Sequence, residues 1–146
     1  MDEGTLDASA RVGGRFNPPG EFGAVYVALE RRTALAELER RVAESGLPRK
    51  QFHPRVILQL RARLSRVLDL TDPTVRRDLD LSEAEITGED WARPQAVARE
   101  ARGDGYAAIR FPSATGEGDN LAIFLDVLSS DDELIVEDIE EVTLRP

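Results

Sequence analysis

No helix or strand can run through the stretch from Gly13 to Gly23. Glycines at 13, 14, 20 and 23 and prolines at 18 and 19 punctuate it throughout, and each of these residue types interrupts regular structure. The chain must therefore build its first long elements after this loop. Two glycines directly before Arg15 make a flexible turn whose backbone amides can converge on an anion, and the guanidinium adds a planar, bidentate phosphate donor. Val25 to Leu29 then reads as a short buried strand carrying Tyr26, whose flat face suits an aromatic or cationic ring. Thr33 is the expected N-cap of a helix from about Ala34 to Ser45. Leu35, Leu38 and Val42 share one face of it, and Gly46 with Pro48 supplies its stop. Glu37 falls on the flank of that helix, off the apolar stripe, where it can face a cleft. Arg15, Tyr26 and Glu37 thus recur at intervals of eleven, in loop, strand and helix respectively. Such a set suits nucleotide-sugar chemistry.

Further on, the period changes. Val56, Leu58, Leu60, Ala62 and Leu64 alternate with polar residues as in a half-exposed strand, and the alternation slips near Arg66, which predicts a bulge or break. Thr71-Asp72-Pro73 starts a short helix to about Leu79, Ser82 and Glu85 have capping-box spacing, and Trp91 to Arg102 reads as a helix stopped by Gly103. Tyr106 to Phe111 and Asn120 to Val127 read as strands flanking the polar loop Pro112 to Asp119. Ser129 to Glu133 is a turn before a closing strand through Ile135, Ile139 and Thr143. Residues 1 to 12 read as a loosely held lead-in, with a short pairing segment near Gly4 to Leu6. Strands and helices mix without regular βαβ alternation, so the expected class is α+β with a bent, largely antiparallel sheet.

A chain of 146 residues with 41% hydrophobic content fits one domain, residues 1–146, around one core. Its net charge of −9 argues against nonspecific binding to nucleic acid or to an anionic membrane, and a basic protein partner is easier to accommodate. The absence of cysteine removes disulfides, thiolate metal sites and a cysteine nucleophile. No stretch approaches the roughly 20 apolar residues of a membrane span, and the expected location is the cytoplasm. Asp131-Asp132-Glu133 lacks known ligand spacing and reads as a solvated turn, so no metal is expected. Neither a GxxxxGK[ST] motif nor a GxGxxG opening a helix after a strand is present, which disfavours phosphoryl transfer and a Rossmann site. Taken singly, Arg15 also fits a surface ion pair, Tyr26 a core aromatic and Glu37 a solvated glutamate.

As an ordered set, Gly13-Gly14-Arg15-Phe16-Asn17-Pro18, Tyr26, Ala34-Leu35-Ala36-Glu37, Phe111-Pro112-Ser113-Ala114 and Asn120-Leu121-Ala122-Ile123-Phe124 resemble the RES domain family, toxins of bacterial toxin–antitoxin pairs. The resemblance spans roughly Gly13 to Val127. It implies an ADP-ribosyltransferase-like fold with NAD as substrate in a central cleft, and a cognate antitoxin with an Xre-like helix-turn-helix domain covering that cleft. It also implies roles. Arg15 anchors the pyrophosphate, Tyr26 clamps nicotinamide, and Glu37 places negative charge beside an oxocarbenium-like ribose. Ser113, bonding the nicotinamide amide or a phosphate, and Asn120 are the further NAD-binding residues; Asn17 reads as a turn former beside the site, and Asn120 fits a strand-edge structural role equally well. Glu37 holds the motif position rather than Glu39. Thr115 departs from the basic residue expected in relatives, which would loosen a phosphate grip after Ser113. Serine nucleophilicity is poorly supported, since the only histidine, His53, precedes a proline in a loop and reads as structural. Hydrolysis, phosphorolysis and ADP-ribosyl transfer to a protein all remain open, as does a catalytically quiet partner-binding module.

Overall fold

The computed structural model describes residues 9–52 and 55–142. A four-stranded sheet runs in the order β1 (Val25–Ala28), β5 (Asp119–Ile123), β4 (Ala108–Pro112), β3 (Val67–Asp69). Its pairings are antiparallel except that β3 lies parallel to β4. The remaining strands, β2 (Arg55–Arg63) and β6 (Glu133–Val142), form a separate antiparallel ribbon whose register shifts between Gln59 and Leu60. The fold is α+β with a largely antiparallel sheet, the expected class. The slip foreseen near Arg66 is where the chain leaves one sheet for the other. There the Arg66 carbonyl accepts from Ala107 N at 2.8 Å, and the guanidinium lies 4.4 Å from the Tyr106 ring centre.

Beyond the helical residues 9–12, the described α-helices are α1 (Arg31–Ser45), α2 (Pro73–Asp78), α3 (Glu83–Thr87) and α4 (Ala92–Gly103). Asp72 caps α2 by accepting from Thr74 N at 2.8 Å, and the Ser82–Glu85 capping box of α3 forms as its spacing dictates. Gly46 ends α1 in the left-handed region at φ 68°. Thr33 does not cap α1. The helix begins three residues after β1 ends, its N-cap is Glu30, and Thr33 is buried inside the first turn with an unpaired hydroxyl. A Cβ at Gly118 would stand 2.4 Å from that hydroxyl oxygen, so only glycine lets the β4–β5 loop approach the helix so closely. The strand expected to reach Val127 stops at Ile123, because a 3-10 turn at Leu125–Val127 follows at once.

Phe16, Phe22, Leu70, Ile109, Phe111 and Phe124 lie at the centre of the core. Phe16 and Phe22 come from the glycine-rich loop, so the core is closed by a segment that has no secondary structure of its own. Residues 9–12 are helical, and Ser9, within the lead-in, bonds the backbone of Ala24 through its hydroxyl, donating at 2.9 Å and accepting at 3.1 Å. The pairing segment foreseen near Gly4 to Leu6 lies outside the described residues, as does His53. On the ribbon, Val56, Leu58, Val136 and Ile139 are exposed, and the pairing register puts all four on one face.

Asp132 is a staple rather than a metal ligand. Its Oδ1 accepts from Ser65 N at 2.6 Å and its Oδ2 from Ser129 N at 2.8 Å, which ties the exit of β2 to the turn before β6. Among the described residues, no group of three or more His, Cys, Asp or Glu is placed to hold a metal ion. The backbone donors of Ser129 and Ser65 hold the Asp132 carboxyl down at about 2. A depressed carboxyl pKa contributes stability above its unfolded value that is lost as pH falls through the folded one. Asp132→Asn is therefore expected to melt below wild type at neutral pH. The gap should close as pH falls from about 4 to about 2. Equal melting at neutral pH would rule out the staple.

Candidate functional site

Strand register builds the site. Tyr26 pairs with Ala122, Ala28 with Asn120, and Asn120 with Phe111 across β1, β5 and β4. Cross-strand partners share a face, and so do residues two apart along a strand. Tyr26, Phe111 and Asn120 therefore stand on one side of the sheet, and Ser113, two residues past Phe111, continues that row. An edge-to-face contact of Tyr26 on Phe111, with ring centres 6.4 Å apart, follows from it.

Helix α1 delivers Glu37 to the same place. Glu37 Oε1 accepts from Ser113 Oγ at 2.7 Å and also from Asn120 Nδ2, while Oε2 has no hydrogen bond among the described residues. One carboxylate oxygen is thus held by two donors, one from β5 and one from the loop that leaves β4, and the other carries no such bond. Since the acceptor is a carboxylate, the amide of Asn120 must turn its nitrogen toward it, and Asn120 Oδ1 is left buried and unpaired. Ser113 is itself positioned by Thr115, whose hydroxyl lies 2.8 Å from Ser113 Oγ and whose N–H donates to it at 3.3 Å. Thr115 therefore orients the serine, whatever it forfeits as a phosphate ligand. Glu39 is elsewhere, in a two-bond pair with Arg49 at 2.8 Å on the surface.

Tyr26 keeps 40% of its surface exposed, yet its hydroxyl is tucked inward, accepting from Phe16 N at 2.8 Å and donating to Asn17 Oδ1 at 2.7 Å. Burial pushes the phenol up to about 12, so it stays neutral and keeps its proton for Asn17. Asn17 is fully buried, and its Nδ2 donates to the carbonyls of Ser9 at 3.0 Å and Phe22 at 3.1 Å. A Cβ at Gly14 would fall 2.7 Å from the Tyr26 hydroxyl and 2.8 Å from Asn17 Oδ1, so this glycine makes room for the network.

Arg15 points to α3. Its Nη1 donates to the carbonyls of Ile86 at 2.7 Å and Gly88 at 2.5 Å, where the end of a helix leaves acceptors unfilled. Its remaining donors have no hydrogen bond among the described residues, so one edge of the fork is anchored and the other is available. Burial lowers its pKa from the usual value, the Arg40 charge adds to that and the Glu37 charge opposes it. Arginine remains a cation throughout the physiological range. Arg15 is therefore within electrostatic reach of Glu37, and Ser113 and Asn120 join Glu37 directly.

Sequence reasoning passed over Arg40, Trp91 and Gln95. Arg40 stands three residues after Glu37, hence on the same side of α1, and the spacing alone offered that signal. Trp91 and Gln95 flank the start of α4 with no motif around them, and Gln95 Nε2 reaches Gly14 O at 2.8 Å. Two surface hollows, bounded by Arg61, Ala62, Arg63 and Glu133 and by Leu68, Leu79, Val97 and Tyr106 among others, share no residue with this cluster. Convergence of polar groups marks the site.

The RES domain pattern matches residues 3–144. The chain belongs to the RES domain family. It is 31% identical over 119 residues to the NAD(+) phosphorylase MbcT of Mycobacterium tuberculosis, covering 77% of this chain and 61% of that protein. A probable NAD(+) phosphorylase of the same organism is 33% identical over 120 residues, covering 82% of this chain and 57% of that one. The chain thus spans about three fifths of the length of these relatives. Its fold matches a crystal structure of the M. tuberculosis MbcT–MbcA toxin–antitoxin complex with a TM-score of 0.83 at 27% identity, over 98% of this chain and 79% of that one.

The Tyr26 hydroxyl joins the loop to the sheet, so Tyr26→Phe is expected to leave Phe16 N–H and Asn17 Oδ1 unpaired and to cost about 1–3 kcal/mol. Tyr26→Ala should cost more, since the ring contact with Phe111 goes too. Urea unfolding compares the three, and a Phe variant as stable as wild type would take the hydroxyl out of the fold's support.

Proposed function

We propose that this RES domain is an NAD-degrading toxin of a toxin–antitoxin pair, which cleaves the nicotinamide–ribose bond and passes the ADP-ribosyl group to phosphate. The observation that carries this reading is the half-clamped Glu37 carboxylate. Two donors fix one oxygen, the other has no hydrogen bond among the described residues, and the donors come from β5 and from the residue that follows β4, on the sheet face that carries Tyr26. The naming of the relatives as NAD(+) phosphorylases supports phosphate over water as the acceptor.

In this mechanism Tyr26 presents its ring face to nicotinamide, with its hydroxyl committed to the protein. The free edge of Arg15, with Arg40 close by on α1, takes the pyrophosphate as a planar donor takes phosphate oxygens. As the glycosidic C–N bond lengthens, its electron pair moves to the pyridinium nitrogen and neutral nicotinamide departs. Positive charge then develops on the ribose, and the open Glu37 oxygen stabilises it at the moment it appears. A phosphate oxygen forms the new bond to the anomeric carbon, giving ADP-ribose 1″-phosphate. Ser113 and Asn120 hold Glu37 in place, which removes the cost of reorienting it during the reaction.

The partner in this reading is an antitoxin with an Xre-like helix-turn-helix domain seated over the cleft, and the setting is the cytoplasm, where NAD is at hand. Support comes from the matched structure, which is that of a toxin–antitoxin complex. No described helix is long and apolar enough to cross a membrane.

Glu37→Gln keeps an oxygen for Ser113 and Asn120 but removes the charge, so it should melt like wild type, bind NAD and turn over about 100- to 1000-fold more slowly. Glu39→Gln, which touches only the Arg49 pair, should retain normal turnover. Nicotinamide release at saturating NAD, measured with and without phosphate, decides it. Normal turnover in Glu37→Gln sinks the assignment, and phosphate-independent turnover moves the acceptor to water. Label carried from NAD onto lysate protein would instead indicate ADP-ribosyl transfer.

A further inference from the structure

Trp91 is the single tryptophan of the chain, and it stands in the open with 40% of its surface exposed. An indole gains most from burial, so an exposed one on a well-fixed turn is not explained by packing. The turn is well fixed. Asp90 accepts from Ala92 N at 3.0 Å, the Trp91 carbonyl accepts from Gln95 N at 2.9 Å, and the Gln95 side chain bonds Gly14 O at 2.8 Å. The start of α4 is therefore locked to the loop that carries Arg15. The Arg15 guanidinium lies 5.6 Å from the indole centre and is itself held by Ile86 and Gly88.

This placement matters because of the order of groups in a dinucleotide. Starting from the ribose beside Glu37, the next group is the pyrophosphate, assigned to Arg15, and the next is an adenosine. The aromatic side chain that lies against the Arg15 guanidinium is Trp91. We propose that Trp91 is the stacking platform for the purine base of the substrate, a subsite separate from Tyr26 and Glu37. The inference rests on the NAD reading above. A rigid aromatic face binds a base by stacking at little conformational cost, and removing such a face by alanine substitution weakens binding by about 5- to 100-fold per base.

The chain carries its own probe, since any change in tryptophan emission reports Trp91 alone. AMP and NAD are each titrated against the wild-type chain, with nicotinamide mononucleotide, which lacks the purine, as the comparison. Saturable quenching by AMP and NAD but not by the mononucleotide is expected. Trp91→Ala should raise the KM for NAD by about 5- to 100-fold with kcat little changed, and Trp91→Phe should recover most of it. Melting curves confirm that the variants fold. Wild-type nicotinamide release with no quenching by AMP and an unshifted KM in Trp91→Ala overturns the purine subsite and leaves the NAD reading standing. A wild-type chain that releases no nicotinamide yet is quenched by AMP overturns the NAD reading and keeps the subsite.

Discussion

A buried amide holds the glycine- and proline-rich loop of this structure to its regular part. Asn17 spends its side chain on the carbonyls of Ser9 and Phe22 and on the Tyr26 hydroxyl. The loop's backbone pairs with itself only in part, as Gly14 with Asn17 and Glu21 N with Pro18 O, and buried polar groups without partners are costly. The side-chain network satisfies the Phe16 N–H and the carbonyls of Ser9 and Phe22. It lets Phe16 and Phe22 enter the core, and it fixes the backbone from which Arg15 projects. Removing Asn17 would therefore disturb packing and site together.

The polar cluster around Glu37 follows the same economy on the other side of Tyr26. Ser113 and Asn120 reach the carboxylate because β4 and β5 are adjacent and antiparallel, which brings residues 113 and 120 together across a short loop. Gly118 in that loop allows α1 to lie close enough for Glu37 to meet them. The arrangement leaves an unpaired Thr33 hydroxyl and an unpaired Asn120 oxygen in the interior. Unsatisfied buried groups of this kind are rare in a region selected for stability alone and accord with a region arranged for chemistry.

Surface charge plays a lesser part. The pairs Arg31–Glu140, Arg61–Glu137 and Arg63–Glu133 link or line the ribbon, all between well-exposed side chains, where such pairs contribute little. The ribbon is held mainly by its own ladder and by the Asp132 staple, and Val56, Leu58, Val136 and Ile139 on its apolar face are exposed.

Much of the element pattern and the family are legible in local sequence. Periodicity located β2, β6 and α1, start and stop signals located α2 and α4, turn chemistry gave the caps of α2 and α3 and the end of α1, and the ordered motif from Gly13 to Phe124 pointed to the RES family that residues 3–144 match. These are local properties, set by spacing and by the conformational preferences of single residues. Only the tertiary structure decided that Thr33 lies inside α1 instead of capping it, that β2 and β6 leave the main sheet, and that Ser9 anchors Asn17's loop. Likewise it decided that Arg15 docks on the end of α3 beside Trp91, and that Ser113 and Asn120 converge on a single oxygen of Glu37. Each depends on which distant segments become neighbours, and no local spacing carries that information. Strand register and close backbone approach at Gly14 and Gly118 do.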